Sequence, residues 1–316
     1  MTTQATATLP VSPEFPAIVF VNASAGRGRA ITVIPQIRRL FAARKFPAEF
    51  ILTANTSELE SRAHKEIAAG RRVLLAMGGD GTFQGLANAA FGSDVVLGVL
   101  PTGGGNDFAS ALGIPRDSIS AAHALLNGRP RRVDLLRACT ADGRTRLYVG
   151  GGGIGLDAEA ARHAGTTYAR VPGRLRYIAA AIHALCGFKP LSVRAEFFPG
   201  SNLPSFEARV LLTAVLNTPS YGAGVRLAQE ARVDDGLLTA VFVTNLTALQ
   251  VVAVVPRLLT RGNLPEAYLT RVAAQKIRLT TDRSCLFHGD GELLGPAPVE
   301  IEVLPNAISV LAPATP

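Results

Sequence analysis

At 316 residues, 48% of them hydrophobic, the chain is long enough for two domains with substantial cores. Its formal charge of +8 and pI near 9.9 suit a polyanion such as a nucleotide or an anionic lipid surface; nucleic acid is not expected, because there is no Trp and no aromatic cluster within a basic stretch. Mean hydropathy of +0.25 is high for a soluble protein, yet no apolar run approaches the ~18–20 residues of a membrane span.

Residues 1–15 lack both a basic start and an apolar h-region, so they read as a disordered tail and not a signal peptide. Residues 17–22, AIVFVN, form a first strand that ends in a small-residue turn, followed by a helix from about Ile31 to Ala43. Asn22 closes that strand either as a nucleotide contact or as a turn-former. Residues 49–53, EFILT, are the second strand, ending at Thr53, with a helix from Ser57 to Ala69.

The centre of the chain uses one device twice. Val73–Met77 stops at Gly78-Gly79-Asp80-Gly81-Thr82, and Val95–Leu100 stops at Pro101-Thr102-Gly103-Gly104-Gly105-Asn106-Asp107, each with a helical pattern after it. Short continuous apolar runs suit parallel strands covered on both faces, and ligands of such sheets sit at the carboxyl ends of the strands. Glycines let the main chain approach a phosphate, with the N–H groups of the helix start aimed at the anion. Thr82 and Asn106 are placed as helix caps, and Asp80 and Asp107 as carboxylates for a metal beside the phosphates.

A helix over Ile119–Leu126 leads to Arg129-Pro130-Arg131-Arg132, the candidate domain boundary, with a strand crossing near Val133-Asp134. Beyond it the texture is β-type. LYVGGGGIGLDAEA (147–160) is a strand, a glycine-rich bend and a helix start, its glycines serving tight backbone packing before ligand contact. Residues 160–195 carry six Arg or Lys and no Asp or Glu, with Leu175, Ile178, Ile182 and Leu185 at helical spacing. Such a helix either lies on an anionic membrane or packs on the domain with solvated arginines. Further strands precede and follow Asp234-Asp235-Gly236-Leu237, which on spacing alone is a hairpin turn. Residues 246–264 read as a helix interrupted at Pro256, Asp290-Gly291-Glu292 lies at a late strand, and 299–313 reads as two short strands. Cys139, Cys186 and Cys285 form no metal pattern; they read as small buried apolar residues in a reducing cytoplasm.

GGDGT at 78–82 followed by PTGGGNDF at 101–108 resembles the catalytic domain of the diacylglycerol kinase family, which includes bacterial lipid kinases and sphingosine kinases. GGDGT alone also fits the NAD kinases, which share that fold. TPSYGAGVRLAQEARVDDGLL (218–238) and Asp290-Gly291-Glu292 extend the resemblance across nearly the whole chain. It implies an α/β N-terminal domain with a parallel sheet (16–134, joined by a returning segment from about 304 to 316) and a β-sandwich-type C-terminal domain (135–303). It further implies an ATP- and Mg²⁺-dependent lipid kinase with its cleft between the two domains, cytoplasmic and peripheral at the inner membrane face, with a homodimer among the expected assemblies.

The resemblance carries roles over residue by residue. Asn22, Thr53, Gly78, Gly79, Asp80, Gly81, Thr82, Gly103, Gly104 and Asn106 would hold ATP, and Asp80 and Asp107 would organise catalytic Mg²⁺. Asp290 would be the general base, supported by Glu292, with His288 read as structural. A structural Mg²⁺ would be held by Asp235 and the carbonyl oxygens of Arg232 and Leu237. Bacterial lipid kinases usually have Thr or Ser where this chain has Gly104, so one hydroxyl contact to the nucleotide is missing. The alternatives are an NAD kinase, against which PTGGGNDF and the DDGLL turn argue, and a non-catalytic binder, against which the set of carboxylates argues.

Overall fold

The computed structural model describes residues 9–313, except 172–173, 188, 199–204, 223, 245, 248, 251–253, 255–256 and 258–261. The chain forms two compact units. One comprises the chain up to Gly103, Leu112–Val133 and Ala307 onward; the other comprises Gly104–Ala111 and Asp134–Asn306.

The first unit alternates strand and helix: β1 (Ala17–Asn22), α1 (Arg29–Ala43), β2 (Ala48–Thr53), α2 (Thr56–Ala68), β3 (Val73–Gly78), α3 (Asp80–Ala90) and β4 (Val96–Pro101). The strands pair in the order β2-β1-β3-β4, all parallel. Every residue of β3 is buried, as are five of six in β1, without alternation. That is the pattern of parallel strands covered on both faces. Register then aligns the strand ends: Asn22 lies opposite Thr53, Val21 opposite Met77, and Gly78 opposite Pro101. One row of carboxyl ends results.

α4 (Asp107–Ala111) comes next but groups with the second unit, although residues 104–111 were expected in the first domain. The reason is local: Ser220 Oγ donates to Asp107 Oδ1 at 2.8 Å. α5 (Ser118–Leu126) belongs to the first unit, and β5 (Arg129–Thr140) passes from the first unit into the second at Asp134.

The second unit continues through β6 (Thr145–Tyr148), β7 (Gly151–Gly155), α6 (Leu156–Gly165), α7 (Arg174–Gly187), β8 (Leu191–Phe198), β9 (Phe206–Leu216), β10 (Ser220–Tyr221), β11 (Val225–Arg226) and β12 (Leu238–Thr244). It ends with β13 (Leu269–Ala274), β14 (Lys276–Thr281), β15 (Leu286–Gly289), β16 (Glu292–Pro296) and the first part of β17 (Val299–Ala312), which passes into the first unit at Ala307. β9 organises the sandwich. It pairs with β12 over Val210–Leu216, with β8 over Phe206–Val210 and with β7 over Leu212–Leu216. The strands enclose a core that includes Tyr148, Ile154, Val193, Phe242, Ile277 and Phe287.

Several expectations are corrected. Residues 299–312 are one strand, not two: its first part pairs with β14 and its last with β4, and Asn306 takes up the change of course at φ 51°. Part of the expected tail is tied down, since Arg71 Nη1 donates to the Glu14 carbonyl at 2.8 Å. In α7 the buried positions are Ala180 and Ala184, whereas Ile182 is 52% exposed; the side chains of Leu175 and Ile178 lie outside what is described. Cys139 is exposed. The helix expected over 246–264 lies largely outside the described residues. Among the described residues no helix is long and apolar enough to cross a membrane.

Phe20, at the centre of β1, is fully buried. Phe20→Ala is expected to cost about 3–5 kcal/mol, read as a lower urea midpoint at unchanged denaturant slope. A midpoint equal to that of the parent would contradict this packing.

Candidate active site

In the first unit the row of strand ends carries Asn22, Thr53, the Gly78–Thr82 turn and Gly103, whereas Gly104 and Asn106 group with the second unit. Asn22 Oδ1 accepts from Ser24 N (3.0 Å) and Ser24 Oγ (2.7 Å), while its Nδ2 donates to Thr82 Oγ1 at 3.1 Å. Asn22 thus shapes its own turn and ties it to the turn after β3. Thr82 does not cap α3; Gly79 does, and Thr82 sits in the first turn beside Asp80 and Gly81. A Cβ on Gly78 would lie 2.3 Å from Thr82 Oγ1, so glycine is required there. Gly78 O accepts from Thr102 N at 2.9 Å and from Gly103 N at 3.4 Å, joining the turns after β3 and β4. Thr53 is buried, its hydroxyl donating to Val21 O at 3.3 Å. Asp80 opens α3, where the helix dipole favours a negative charge.

The remaining acidic residues lie in the second unit. Asn106 adopts φ 59°, and its carbonyl accepts from Ser110 N and Ser110 Oγ, turning the chain into α4. Asp107, nearly buried, receives the Ser220 hydroxyl. Asp134 is wholly buried, and its carboxylate accepts from Gly236 N and Asn306 N, each at 2.7 Å. It braces the turn that carries Asp235. Asp235 Oδ1 accepts from Leu237 N at 3.0 Å. Burial first, then the charges of Asp134 and Asp234, hold the Asp235 carboxyl above the usual carboxylate range, against the pull of the Leu237 N–H. Crowded carboxylates of this kind fit a divalent cation, which would relieve the repulsion. Among the described residues no three Asp, Glu, His or Cys side chains form a metal cage, so a cation here would draw on main-chain oxygens such as those of Arg232 and Leu237.

Asp290 occupies the turn of the β15–β16 hairpin. Asp290 and Gly291 both have positive φ (50° and 86°), the requirement of a two-residue type I′ turn. Its carboxylate reaches across to three consecutive N–H groups: Val149 N to Oδ2 at 2.7 Å, Gly150 N to Oδ1 at 2.9 Å and Gly151 N to Oδ1 at 3.1 Å. Glu292 starts β16, with Arg146 Nη2 3.9 Å from its Oε2.

Beside this clamp lies a buried polar group. Tyr221 Oη donates to Asp157 Oδ2 at 2.9 Å and lies 2.5 Å from His288 Nε2, which is 3.4 Å from the same Asp157 oxygen. Burial, then the charge of Asp157, pushes the Tyr221 phenol well above its usual range, so it remains a donor. The glycines make room: a Cβ on Gly153 would lie 2.1 Å from Asp157 Oδ2, and one on Gly151 would lie 2.9 Å from the Tyr221 ring.

Asp134, Asn217 and Tyr221 escaped the sequence reading as site residues. Asn217 Nδ2 donates to the carbonyls of Asp134 and Val149, and its N–H to that of Gly150. Only Asp134 left a signal, an acidic residue inside an apolar strand.

Comparison with known proteins gives the family and the fold. The diacylglycerol kinase catalytic domain matches residues 16–138, and the YegS C-terminal NAD kinase beta sandwich-like domain matches 152–312. A Pseudomonas aeruginosa relative named "Probable lipid kinase YegS-like" is 31% identical over 250 residues, covering 78% of this chain and 79% of its own. Bacillus subtilis diacylglycerol kinase is 27% identical over 244 residues, covering 76% and 78%. A solved Bacillus anthracis structure matches with a TM-score of 0.78 at 21% identity over 98% of each chain, and another, titled a diacylglycerol kinase, with 0.69 at 18% over 94% and 97%. At those identities the solved structures show the fold.

Two outcomes test the site. Gly153→Ala places its methyl against Asp157 and 2.7 Å from the Thr213 carbonyl, so it should cost about 1–3 kcal/mol in thermal unfolding. Because the raised Asp235 value means that the native state holds this proton more tightly than the unfolded chain, ionised Asp235 subtracts stability as pH rises through its folded value. Asp235→Asn should therefore leave the metal-free melting temperature at neutral pH equal or higher, and, if Mg²⁺ raises the melting temperature of the parent, should abolish that increment. An unchanged increment would remove Asp235 from the cation site.

Proposed function

Because the chain belongs to the diacylglycerol kinase family, with a YegS-type C-terminal domain, we propose that it transfers the γ-phosphoryl group of ATP to a hydroxyl of a membrane lipid, with Mg²⁺ as the required cation. The observation that carries this reading is Asp290: a carboxylate fixed by three main-chain N–H groups at a hairpin tip. A phosphoryl transfer of this kind needs little covalent chemistry from the protein. It needs a positioned nucleotide, neutralised phosphate charge and an acceptor for the hydroxyl proton.

In this proposal the turns after β1, β3 and β4 hold the nucleotide through main-chain N–H groups, and Asp80 and Asp107 are the carboxylates that hold Mg²⁺ with it. When bound, Mg²⁺ neutralises charge on the phosphate oxygens. The acceptor oxygen forms its bond to phosphorus as the bond to ADP breaks, and its proton passes to the Asp290 carboxylate. Because the transition state is loose, the proton leaves late, so direction matters more than basicity. The N–H clamp supplies direction. Glu292 stands at the same hairpin as a supporting acid. Asp235, with the Arg232 and Leu237 carbonyls, is the proposed structural cation site. We place the enzyme at an anionic membrane surface on the strength of the basic 160–195 stretch.

The reading is tested by following radiolabelled γ-phosphate from ATP and Mg²⁺ into a bacterial total-lipid extract, with NAD as competing acceptor. Label is expected in a chloroform-soluble product and absent with Asp80→Ala or Asp290→Asn, both folded. Label on NAD alone would replace this function by that of an NAD kinase. At Gly104 a Cβ would meet nothing within 4 Å. Gly104→Thr should accordingly fold normally and lower the KM for ATP severalfold by restoring a hydroxyl contact; an unchanged KM would show that the main chain alone suffices.

A further inference from the structure

Val149, Gly150 and the first residue of β7 supply the N–H face that holds Asp290, yet residues 150–153 are all glycine. Register in a strand is ordinarily set by its pattern of side chains, and glycine-rich strands specify it weakly. The partner hairpin adds a second weakness: pairing shifts between Phe287 and His288, so Leu294 is an extra residue on β16. A slip of one residue, about 3.3 Å along the strand, would carry the Asp290 carboxylate off the Val149–Gly151 N–H groups. Something other than β7 side chains must hold β15 in place.

Three side chains converge at that point. His288 lies directly opposite Gly153 in the β7–β15 ladder, Asp157 follows β7 at the start of α6, and Tyr221 rests where Gly151 lacks a Cβ. His288 is 4% exposed, and the Asp157 side chain 9%. Hydrogen placement follows from the partners. The Tyr221 hydroxyl has one proton; if it went to His288, a phenol lone pair would face the Asp157 carboxylate at 2.9 Å. The proton therefore goes to Asp157, and His288 Nε2–H donates to the Tyr221 oxygen. His288 is the Nε2–H tautomer, and its Nδ1 has no hydrogen-bond partner among the described residues. Such a chain is directional from Asp157 through Tyr221 to His288. It spans β7 at the register position where β7 has no side chain.

We propose that the Asp157–Tyr221–His288 chain is the register lock of the Asp290 hairpin, and that Tyr221 and His288 are positioning residues for Asp290. The lock exists whether or not the protein is a kinase; its catalytic consequence rests on the reading of Asp290 as proton acceptor. A polar chain of this kind is a poor source of stability against an apolar filling of the same volume, but it has one satisfied arrangement, which suits a strand lacking its own pattern. Charged or titratable groups facing the chain are Asp157 from α6, Tyr221 from β10, Tyr148 from β6 and Asp290 from the hairpin itself.

Tyr221→Phe removes one oxygen and keeps the ring. In the full-length protein, amide hydrogen exchange at Val149–Gly151 should accelerate about tenfold or more relative to other β7 and β9 amides, and the ¹⁵N-imidazole spectrum should lose the Nε2–H signature that His288→Gln assigns. With Mg²⁺-ATP and lipid extract, kcat should fall about tenfold to hundredfold at unchanged KM for ATP, the scale of a small misplacement. His288→Leu should match it, whereas His288→Gln, whose amide still donates to Tyr221, should stay within about threefold of the parent. Parental exchange at Val149–Gly151 in Tyr221→Phe, or acceleration spread evenly over the sheet, overturns the lock. So does equal activity of the Leu and Gln variants. If the parent transfers no phosphate but local exchange still accelerates, the lock stands and the kinase reading falls.

Discussion

A carboxylate can accept three consecutive main-chain N–H groups only if nothing stands between it and the strand. Val149, Gly150 and Gly151 meet this demand for Asp290. A Cβ on Gly150 would already lie 3.1 Å from Asp290 Oδ1. On Gly152 it would fall 2.3 Å from the His288 carbonyl, and on Gly153 2.1 Å from Asp157. The glycine run is thus several demands met by one residue type: N–H groups turned to an anion, two strands brought close, and a polar group seated beside them. Much of the second unit follows from it. β9 pairs with a strand that has side chains only at Ile154, and opposite its glycines it sets Ala214, Val215 and Leu216, all fully buried.

The first unit solves a different problem. Its strands carry continuous apolar runs, so side chains bind the sheet to its cover and chemistry is pushed to the strand ends, where glycine turns begin. Register makes those ends a row, and small side chains finish the work: Asn22 ties one turn to Thr82, and Gly78 leaves room for that threonine. Anion recognition by main chain demands that side chains be absent or turned aside, and both units meet it by placing glycine where the backbone must approach.

The parallel unit was nearly all legible in the sequence, because buried strand, glycine turn and amphipathic helix each leave a local pattern. β3 and α3 fall where the apolar run and the glycines put them. Contacts between residues far apart in sequence were not legible. Nothing local in SYGAG says that Ser220 reaches Asp107, 113 residues away, or that Tyr221 reaches His288, 67 away. Nor does local pattern reveal that Asp290-Gly291, read at a late strand, is a two-residue turn, or that Pro305-Asn306 bends one strand and does not divide two. Thr82 illustrates the remaining error: a hydroxyl at a helix start is a cap by habit, but here Gly79 takes the cap and Asn22 takes the hydroxyl.

The way in which the acids of the second unit are held bears on what they can do. Asp134 is met by two N–H groups, Asp290 by three, Asp157 by a phenol and an imidazole, and Asp107 by a serine hydroxyl. Hydrogen bonds from N–H and O–H groups fix the direction of each carboxylate, which is what holding a cation or accepting a proton at a set position requires. At Asp235 burial, then the charges of Asp134 and Asp234, raise the carboxyl above its ordinary range. A fold selected for stability alone would replace such groups by apolar ones. Carboxylates held in fixed directions are what the proposed cation and proton-acceptor roles would need.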